Sequence, residues 1–302
     1  MKCRKCDERA VIRIRAHNLA LCREDFLDFV LDRVQKAIRT YRLLQKGERV
    51  LVALSGGKDS LAAFDILQRL GYQVEAFHIE LGIDGFSEAS LEKVKAFVRE
   101  RGATLHLLRV EDELGMGVVE AARRLRRPPC SLCGMIKRYL MNRFAYERGF
   151  SAVVTGHNLD DEGATLLGNL LRWQTGYLSR QAPLLPSSHP RLIKKVKPLV
   201  LLSEREVLAY CLLRPISYLP DRCPYAKGAT SIPQKEALNF LELHSPGTKL
   251  RFYQGFLQVR ESIPQEEGEL RECEVCGFLT VREKCQFCTL KERLNATEGR
   301  RR

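Results

Sequence analysis

The stretch VLVALSGGKDSLAAFDIL, residues 50–67, is an apolar run that stops at two glycines and resumes with helical spacing. This order of strand, glycine turn and helix predicts an anion-binding loop, because the first N–H groups of a helix have no partner inside it. The loop is not a Walker A motif, since Asp59 follows Gly57-Lys58 where that motif has Ser or Thr. An aspartate beside phosphates requires a divalent cation between the charges. Asp59 is therefore predicted to help hold Mg²⁺ on a nucleotide.

Strand-like and helical segments alternate on both sides of this loop. Short runs rich in Val, Leu and Ile are followed by amphipathic segments over most of residues 49–172. The alternation predicts an α/β fold with a doubly wound, Rossmann-like parallel sheet. Ligands of such sheets bind at the carboxyl ends of the strands. The segments SGGKDS (55–60), HIE (78–80) and TGHNLDD (155–161) are therefore predicted to share one rim.

The composition indicates a polyanionic partner. The chain has 302 residues, and 50 Lys or Arg against 37 Asp or Glu give a formal net charge of +13. Nucleic acid is the leading candidate partner, although the charge alone also fits an ordinary basic protein. The sequence has no continuous apolar run of the ~18–20 residues that a membrane span needs, and its first residues lack a signal-peptide core. We therefore expect a cytoplasmic protein without a membrane segment.

Cysteine pairs at both ends predict two zinc ribbons. The first segment has a CxxC pair, a short predicted hairpin that ends at Cys22, and then Asp25, with His17 as an alternative fourth ligand. The last segment has two CxxC pairs separated by eight residues, which is typical of a four-cysteine zinc site. The predicted ligands are Cys3, Cys6, Cys22 and Asp25 for the first zinc, and Cys273, Cys276, Cys285 and Cys288 for the second.

The cysteines in the middle of the chain allow three interpretations. Cys130 and Cys133 are three residues apart, and Lys137 lies four residues further on, so a helix would bring them to one face. A structural zinc would need further ligands from Cys223 or Cys211. A redox pair could carry a persulfide and release sulfur by forming a disulfide. A [4Fe–4S] cluster held by Cys130, Cys133 and Cys223 would leave one iron without a protein ligand.

Several motifs together resemble one enzyme family. SGGKDS resembles the pyrophosphate-binding loop of the N-type ATP pyrophosphatases, or PP-loop enzymes, which adenylate a substrate oxygen and release pyrophosphate. The amino-terminal CxxC ribbon, PxCxxCGxxKR, GHNxDD, the lone cysteine of DRCPYAKGATS and the carboxy-terminal CxxC-x8-CxxC extend the likeness over nearly the whole chain. In this combination the sequence resembles the TtuA family, the bacterial and archaeal tRNA 2-thiouridine synthetases. The family's first site closes with C-x-x-H, whereas this chain has Cys22-Arg-Glu-Asp25.

The resemblance implies a set of site residues. Lys137 and Asp59 are the predicted catalytic residues, although a lysine on a helix is more often only solvated. Asp160 and Asp161 can also serve merely as caps of the helix that they begin. The resemblance assigns the cluster to Cys130, Cys133 and Cys223. The predicted ATP-binding residues are Ala53, Ser55, Gly56, Gly57, Lys58, Asp59, Ser60, Ile79, Lys137, Gly156 and Asp161.

The resemblance also implies a reaction and its partners. The enzyme would adenylate the O2 atom of a tRNA uridine, at position 54 of the T-loop, and sulfide bound to the open iron would displace AMP to give 2-thiouridine. The alternatives are thiolation of wobble uridine 34 or of a cytidine, another adenylating enzyme such as an amidotransferase, or a non-catalytic zinc-ribbon RNA-binding module. The implied cofactors are ATP, Mg²⁺, the [4Fe–4S] cluster and two Zn²⁺. The implied partners are tRNA, a ubiquitin-like sulfur carrier with a carboxy-terminal thiocarboxylate, and a second copy of the chain in a homodimer.

We predict three domains. Residues 1–28 form the amino-terminal zinc ribbon, residues 29–265 form the PP-loop catalytic domain with the Fe–S site, and residues 266–302 form the carboxy-terminal ribbon and a basic tail. The polar segment ESIPQEEGELRE, residues 261–272, is the predicted linker to the last module. A helix is predicted over residues 26–45, from apolar residues at helical spacing.

Overall fold

The computed structural model describes residues 1–226, 230–264 and 270–299. Its strands are β1 Ile12–Ile14, β2 Leu19–Leu21, β3 Arg49–Ala53, β4 Gln73–Glu80, β5 Leu105–Arg109, β6 Ala152–Val154, β7 Leu184–Leu185, β8 Lys194–Val196, β9 Arg271–Glu272 and β10 Leu279–Thr280. Its α-helices are α1 Arg23–Thr40, α2 Lys58–Arg69, α3 Phe86–Glu100, α4 Val110–Leu114, α5 Val118–Arg124, α6 Pro129–Glu147, α7 Leu159–Leu171, α8 Thr175–Leu178, α9 Glu204–Leu213, α10 Ser231–His244, α11 Thr248–Val259 and α12 Gln286–Gly299. None of these helices combines the length and apolar character needed to cross a membrane.

The central sheet confirms the predicted α/β fold. Its strand order is β5-β4-β3-β6-β8-β7, and every neighbouring pair is parallel except β7 with β8. From β3 the chain builds outward to β4 and β5 on one side, and later returns to place β6 and β8 on the other side. The order of the strands therefore reverses between β3 and β6. Crevices at such switch points are where open α/β sheets bind ligands.

Helices cover both faces of this sheet. Val50 and Val52 of β3 face one apolar core, whereas Leu51 of β3 and Val153 of β6 face the other. All four side chains are fully buried. This explains why the strands appear as nearly continuous apolar runs in the sequence, since a strand buried on both faces has no polar alternation.

The first helix differs from its predicted bounds. The helix α1 spans Arg23–Thr40 rather than residues 26–45, and Cys22 caps its amino end by accepting a hydrogen bond from the Asp25 N–H. Arg42 adopts a left-handed conformation with φ 51°, and the Leu43 N–H donates to the Ile38 carbonyl. This arrangement ends a helix, because it satisfies one of its last free carbonyls. The apolar residues beyond Thr40 belong to the turn before β3.

The modules at the two ends are small antiparallel pairs. β1 pairs with β2 and β9 pairs with β10. The predicted domain boundary after residue 28 falls inside α1. The predicted boundary at residues 265–266, part of the linker and the last residues of the basic tail lie outside the described residues, as does part of DRCPYAKGATS.

The carboxy-terminal module packs tightly against α6. Phe287, Leu290 and Leu294 of α12 are buried in the same apolar core as Leu132 and Ile136 of α6. The rings of Tyr139 and Phe287 are stacked, with centroids 4.2 Å apart and planes 10° apart. Stacked aromatic pairs contribute about 0.5–1.5 kcal/mol beyond the area that they bury. The module is therefore held rigidly to the helix that begins with Cys130 and Cys133.

A buried ion cluster ties α2 to the helices that pack around it. The Asp65 side chain is 3% exposed, and it pairs with Arg101 at 3.0 Å and with Arg214 at 3.3 Å. The Tyr210 hydroxyl donates to the same carboxylate at 2.6 Å. Burial opposes ionisation, but the hydrogen bonds from Arg214 and Tyr210 and the charge of Arg101 hold the pKa of Asp65 below its ordinary value.

Replacement of this aspartate is expected to destabilise the fold. Asp65→Asn should lower the free energy of unfolding at pH 7 by about 3–5 kcal/mol, because two arginines lose their buried counter-charge. Since the folded pKa lies below the unfolded value of about 3.9, the difference from wild type should persist above that pH and shrink as the pH falls through the folded pKa. Urea unfolding at pH 7 and at pH 3 measures both effects. Asp28→Asn at an exposed position of α1 is the control, and equal midpoints for the two variants at pH 7 would contradict the prediction.

Candidate functional site

The glycine loop lies directly between β3 and α2. Gly56 has φ 76°, and a Cβ atom there would lie 2.8 Å from the Ser90 hydroxyl and 3.0 Å from the Ser90 carbonyl oxygen. The Ser90 hydroxyl in turn donates to the Ser55 carbonyl at 2.7 Å. Only glycine fits this close approach without strain. The loop is thereby fixed against α3.

Hydroxyl groups hold the turn and leave the start of α2 free. The Ser55 N–H donates to the Ser60 hydroxyl at 3.1 Å, and that hydroxyl donates to the Gly57 carbonyl at 3.0 Å. Gly57 is the N-cap of α2 and offers no side chain to satisfy the first N–H groups. These groups and the positive end of the helix dipole form a ready anion site. Ala53 is the last residue of β3, directly before this loop.

The second predicted segment meets the first at the switch point. Gly156 follows β6, and a Cβ atom on it would lie 2.7 Å from both the Asp59 carbonyl carbon and the Ser60 nitrogen. Asn158 caps α7 together with Asp161, and its side-chain amide donates to the Asp59 carboxylate at 2.9 Å. The sequence placed these residues on one rim, and the structure brings them into contact.

Two lysines compensate the acidic groups around the loop. Lys58 pairs with Asp59 at 3.0 Å and with Glu204 at 2.7 Å. Lys235 pairs with Asp161 at 2.6 Å and with Glu204 at 3.1 Å. Burial alone would lower the pKa of Lys58, but the charge of Asp59 and the bond to Glu204 raise it to about 12. Burial would raise the pKa of Glu204, but Lys58 and Lys235 lower it to about 2.

The pKa of Asp59 is raised even though this carboxylate contacts Lys58. Burial raises its pKa, the charge of Lys58 and its hydrogen bond lower it, and the like charge of Asp161 raises it further. The net direction is upward, with burial as the largest cause, and the cluster as a whole sets three carboxylates against two lysines. Two nearby carboxylates with a deficit of positive charge are suitable oxygen ligands for a hard divalent cation. The donor set therefore fits the Mg²⁺ that Asp59 suggested in the sequence.

Sequence reasoning missed Glu204 and Lys235. Glu204 begins α9, where Ser203 and Glu206 form a capping box, and the segment SEREV carries the signature of that box. The signature indicates where a helix starts, but it does not show that Glu204 contacts a lysine 146 residues earlier in the chain. Lys235 lies on α10 without any motif around it. No sequence pattern around either residue indicates that it contacts the glycine loop or its neighbours.

The three cysteines from the middle of the chain lie near Lys137. Cys130 and Cys133 are in the first turns of α6, and Lys137 follows one turn later. The Cys130 thiol donates to the Tyr225 carbonyl at 3.1 Å, which connects α6 to the segment that carries Cys223. Burial raises the pKa of the Cys133 thiol, the adjacent Lys137 ammonium lowers it, and the neighbouring Cys223 and Cys130 raise it further. The structure therefore brings together the three thiols and the lysine. Cys211 is fully buried in the core on the other face of the sheet.

The spacing of the three thiols bears on which group they could hold. Within the described ranges, the groups whose ligand atoms all lie within 4.8 Å of one another are the two at the chain ends. Cys130, Cys133 and Cys223 do not form a third such group. A single zinc ion needs that proximity, whereas the cysteines of a four-iron cluster bind different irons and stand further apart. The three thiols therefore lack the mutual proximity that a single zinc ion needs.

Both chain ends have the geometry of a metal site. Cys273, Cys276, Cys285 and Cys288 form one group, and Cys3, Cys6, Cys22 and Asp25 form the other. The thiols of Cys3 and Cys22 contact the same oxygen of Asp25 at 3.0 and 3.2 Å. His17 instead packs edge-on against Phe29, with ring centroids 5.5 Å apart. The structure thus places Asp25, and not His17, beside the three thiols.

His78 and Ile79, near the end of β4, are buried beside β3, the strand that leads into the glycine loop. Ile79 is 9% exposed. The neighbouring His78 is buried, and its Nδ1 atom pairs with the Leu54 carbonyl at 2.8 Å. Its Nε2 atom has no partner among the described residues. The Nδ1 contact helps to position the chain just before Ser55.

A methyl group at Gly156 is expected to disturb the contact between the two segments. Gly156→Ala should weaken MgATP binding at least tenfold and lower the free energy of unfolding by about 1–3 kcal/mol, because one backbone segment must shift. Calorimetric titration and thermal unfolding measure the two effects. Gly255→Ala on α11 is the matched control, since a Cβ atom there meets nothing within 4 Å. Unchanged ATP affinity in Gly156→Ala would refute the expectation.

Comparisons with known proteins identify the family of this chain. A family model described as a PP-loop domain matches residues 30–227, and one described as the 2-thiouridine synthetase TtuA, N-terminal LIM domain, matches residues 2–27. The tRNA-5-methyluridine(54) 2-sulfurtransferase of Thermus thermophilus is 52% identical over 96% of this chain and 91% of its own length. The enzyme of the same name from Pyrococcus horikoshii is 46% identical over 98% and 96%.

A solved structure extends the similarity to nearly the whole fold. The U34-tRNA thiolase NcsA from Methanococcus maripaludis, solved with its [4Fe–4S] cluster, superposes with a TM-score of 0.84. It is 28% identical and covers 97% of this chain and 96% of its own. The family models, the relatives and the fold confirm the resemblance found in the sequence. The chain therefore belongs to the TtuA family of tRNA 2-thiouridine synthetases.

Proposed function

We propose that this protein is an ATP-dependent tRNA sulfurtransferase that replaces O2 of uridine 54 with sulfur. The observation that supports the proposal is that Cys130, Cys133 and Cys223 lie near Lys137, and that the Leu219 N–H, four residues before Cys223, donates to the Gly56 carbonyl of the PP-loop. Position 54 is favoured over position 34 because the relatives named for position 54 are 52% and 46% identical, whereas the U34 thiolase is 28% identical. An amidotransferase has no need of the three thiols.

The glycine loop is the proposed ATP site. The N–H groups at the start of α2, the hydroxyls of Ser55 and Ser60 and the ammonium of Lys58 would bind the β- and γ-phosphates. Asp59 and Asp161 would hold Mg²⁺ on these phosphates, and Gly156 and Ile79 would border the rest of the nucleotide. The uracil O2 attacks the α-phosphorus, the bond to the bridging oxygen breaks, and pyrophosphate leaves. The N3 proton of the uracil is lost in the same stage.

Lys137 is the proposed charge-stabilising group of both stages. It lies one helical turn after Cys133 on α6, and its charge also acts on His157 in the segment that follows β6. An ammonium there would stabilise the negative charge that develops on the α-phosphate, a form of catalysis that depends on preorganised position. In the second stage sulfide adds to C2 and AMP leaves with the former O2. Lys137 would then balance the departing phosphate.

Cys130, Cys133 and Cys223 would hold the [4Fe–4S] cluster. NcsA, which carries such a cluster, supports this proposal by its fold. When bound, the cluster supplies an open iron that accepts the sulfur to be transferred. Two zinc ions at the cysteine-rich ends, a ubiquitin-like sulfur carrier, a homodimer and a cytoplasmic location complete the proposal. Their support is the family resemblance, together with the ligand groups at the two ends.

One reaction tests the proposed function directly. Iron-reconstituted protein is incubated anaerobically with unmodified tRNA, MgATP and sulfide, and the thiolated nucleoside is then mapped by nuclease digestion. A 2-thiouridine at position 54 that requires ATP is the expected product. Thiolation at position 34 would keep the chemistry and refute the assigned position. ATP cleavage without thiolation, with sulfide and carrier both supplied, would favour a different adenylated substrate.

Loss of the Lys137 ammonium is expected to stop the reaction without unloading the cluster. Lys137→Ala should reduce the single-turnover rate of thiolation about 100-fold or more, as for other preorganised charge-stabilising groups. The visible absorbance of the cluster should remain as in wild type. Lys95→Ala, at a half-buried lysine of α3 that pairs with Glu92, is the control. Wild-type turnover in Lys137→Ala would remove this residue from the mechanism.

The number of zinc ions bound per chain can identify the fourth ligand of the amino-terminal site. Asp25→Ala should reduce bound zinc from two ions to one per chain, because three ligands leave a structural site incomplete. Asp25→His should retain two, since imidazole is also a zinc ligand. Elemental analysis after gel filtration measures the ratio. Two zinc ions in Asp25→Ala, combined with one in His17→Ala, would transfer the role to His17.

A further inference from the structure

A basic cleft lies between the link from α5 to α6 and the carboxy-terminal module. It is a cavity of about 190 Å³, and four of the residues that line it are cationic. None of the described residues lining it is acidic, while Gln286 and Thr289 add polar groups. We call this cavity the basic cleft. Its cationic residues are Arg127, Arg282, Lys284 and Arg293.

The three arginines of the basic cleft are exposed and uncompensated. Among the residues that the structure describes, Arg127, Arg282 and Arg293 have no acidic partner, whereas Lys284 pairs with Glu292 at 2.7 Å. Many other arginines of the chain are engaged by carboxylates, as Arg101 and Arg143 are. A group of like charges in one concave place is unfavourable unless an anion binds there.

The basic cleft is rigidly connected to the cysteine site. Arg126 lies just beyond the end of α5 with φ 51°, and the Arg127 N–H donates to the Ala122 carbonyl at 3.0 Å, which anchors the turn. Pro128 and Pro129 follow and lead directly to Cys130. Three peptide units span at most about 11 Å, so the Cα atoms of Arg127 and Cys130 lie within that distance of each other. The packing of α12 on α6 fixes the opposite wall.

The lining favours RNA over a protein as the ligand. Protein interfaces have an apolar centre, but the apolar side chains of this cavity are Leu125, which is half-buried, and Leu290, which is 2% exposed. Guanidinium groups match phosphate oxygens in a bidentate geometry. Phosphates position a nucleic acid without reading its sequence. A site of this kind next to the thiols would place the target base for reaction.

We propose that the basic cleft binds the phosphate backbone of the substrate tRNA beside the reacting uridine. The inference rests on the proposed function and names the surface that holds its substrate. Arg127, Arg282 and Arg293 contact backbone phosphates, and Lys284 adds charge next to them. The cleft contributes affinity and position and takes no part in the chemical steps.

The salt dependence of tRNA binding tests this proposal. The full chain carrying Arg127→Ala, Arg282→Ala and Arg293→Ala should bind an unmodified tRNA transcript at least tenfold more weakly at 100 mM salt. The slope of log K against log [salt] should become shallower by about 2, because each lost phosphate contact removes about 0.7–0.9. At saturating tRNA the rate of thiolation should return to the wild-type value. Replacement of the same three residues by lysine should preserve most of the slope.

A matched control removes the same charge elsewhere. Arg39, Arg99 and Arg205 are exposed on α1, α3 and α9, and their joint replacement by alanine should change tRNA affinity less than twofold.

Equal losses in both triple variants, or wild-type affinity and slope in the cleft variant, would overturn the proposal. Unchanged tRNA binding with weakened binding of an acidic ubiquitin-like protein would assign the cleft to a carrier instead. If the wild-type protein thiolates tRNA while the cleft variant binds it normally, only this inference fails. If the wild-type protein neither binds nor thiolates tRNA, the proposed function fails with it.

Discussion

The candidate site depends on two backbone segments that lie closer together than any side chain would permit. Gly156 approaches Asp59 and Ser60 so closely that a Cβ atom would lie 2.7 Å from both of them. The hydrogen bond from Asn158 to Asp59 is possible because of this approach. The contact joins β3 and β6 at the point where the strand order reverses, so the fold itself supplies the crevice.

The charged side chains around this contact form one connected network of lysines and carboxylates. The protein pairs Lys58 and Lys235 with three acids, and Glu204 bridges the two lysines. A polyphosphate would compete with Glu204 for Lys58, while a divalent cation would relieve the repulsion between Asp59 and Asp161. Binding of the two together preserves electroneutrality better than binding of either alone. The network would therefore couple a bound nucleotide to a metal ion through ordinary Coulomb forces.

Much of the fold and part of the site could be predicted from the sequence. Continuous apolar strands indicated a buried parallel sheet, and SGGKDS and GHNxDD marked the rim, because local spacing determines such motifs. The end of α1 was predicted wrongly, because Arg42 adopts a left-handed conformation that arginine rarely adopts. Glu204 and Lys235 were missed because long-range ion pairs leave no local pattern. Asp25 could be compared with His17 only once the hairpin had a definite geometry.

The packing of α12 on α6 has a consequence for the order in which the protein assembles. The end of α6 and the start of α12 are separated by 139 residues, from Glu147 to Gln286. At a synthesis rate of about 5–20 residues per second, α6 waits roughly 7–28 seconds for the helix that covers part of its apolar face. Until then Tyr139 of α6 lacks the Phe287 ring on which it stacks. The helix with Cys130 and Cys133 thus reaches its final support late in synthesis, well after the nucleotide loop has been made.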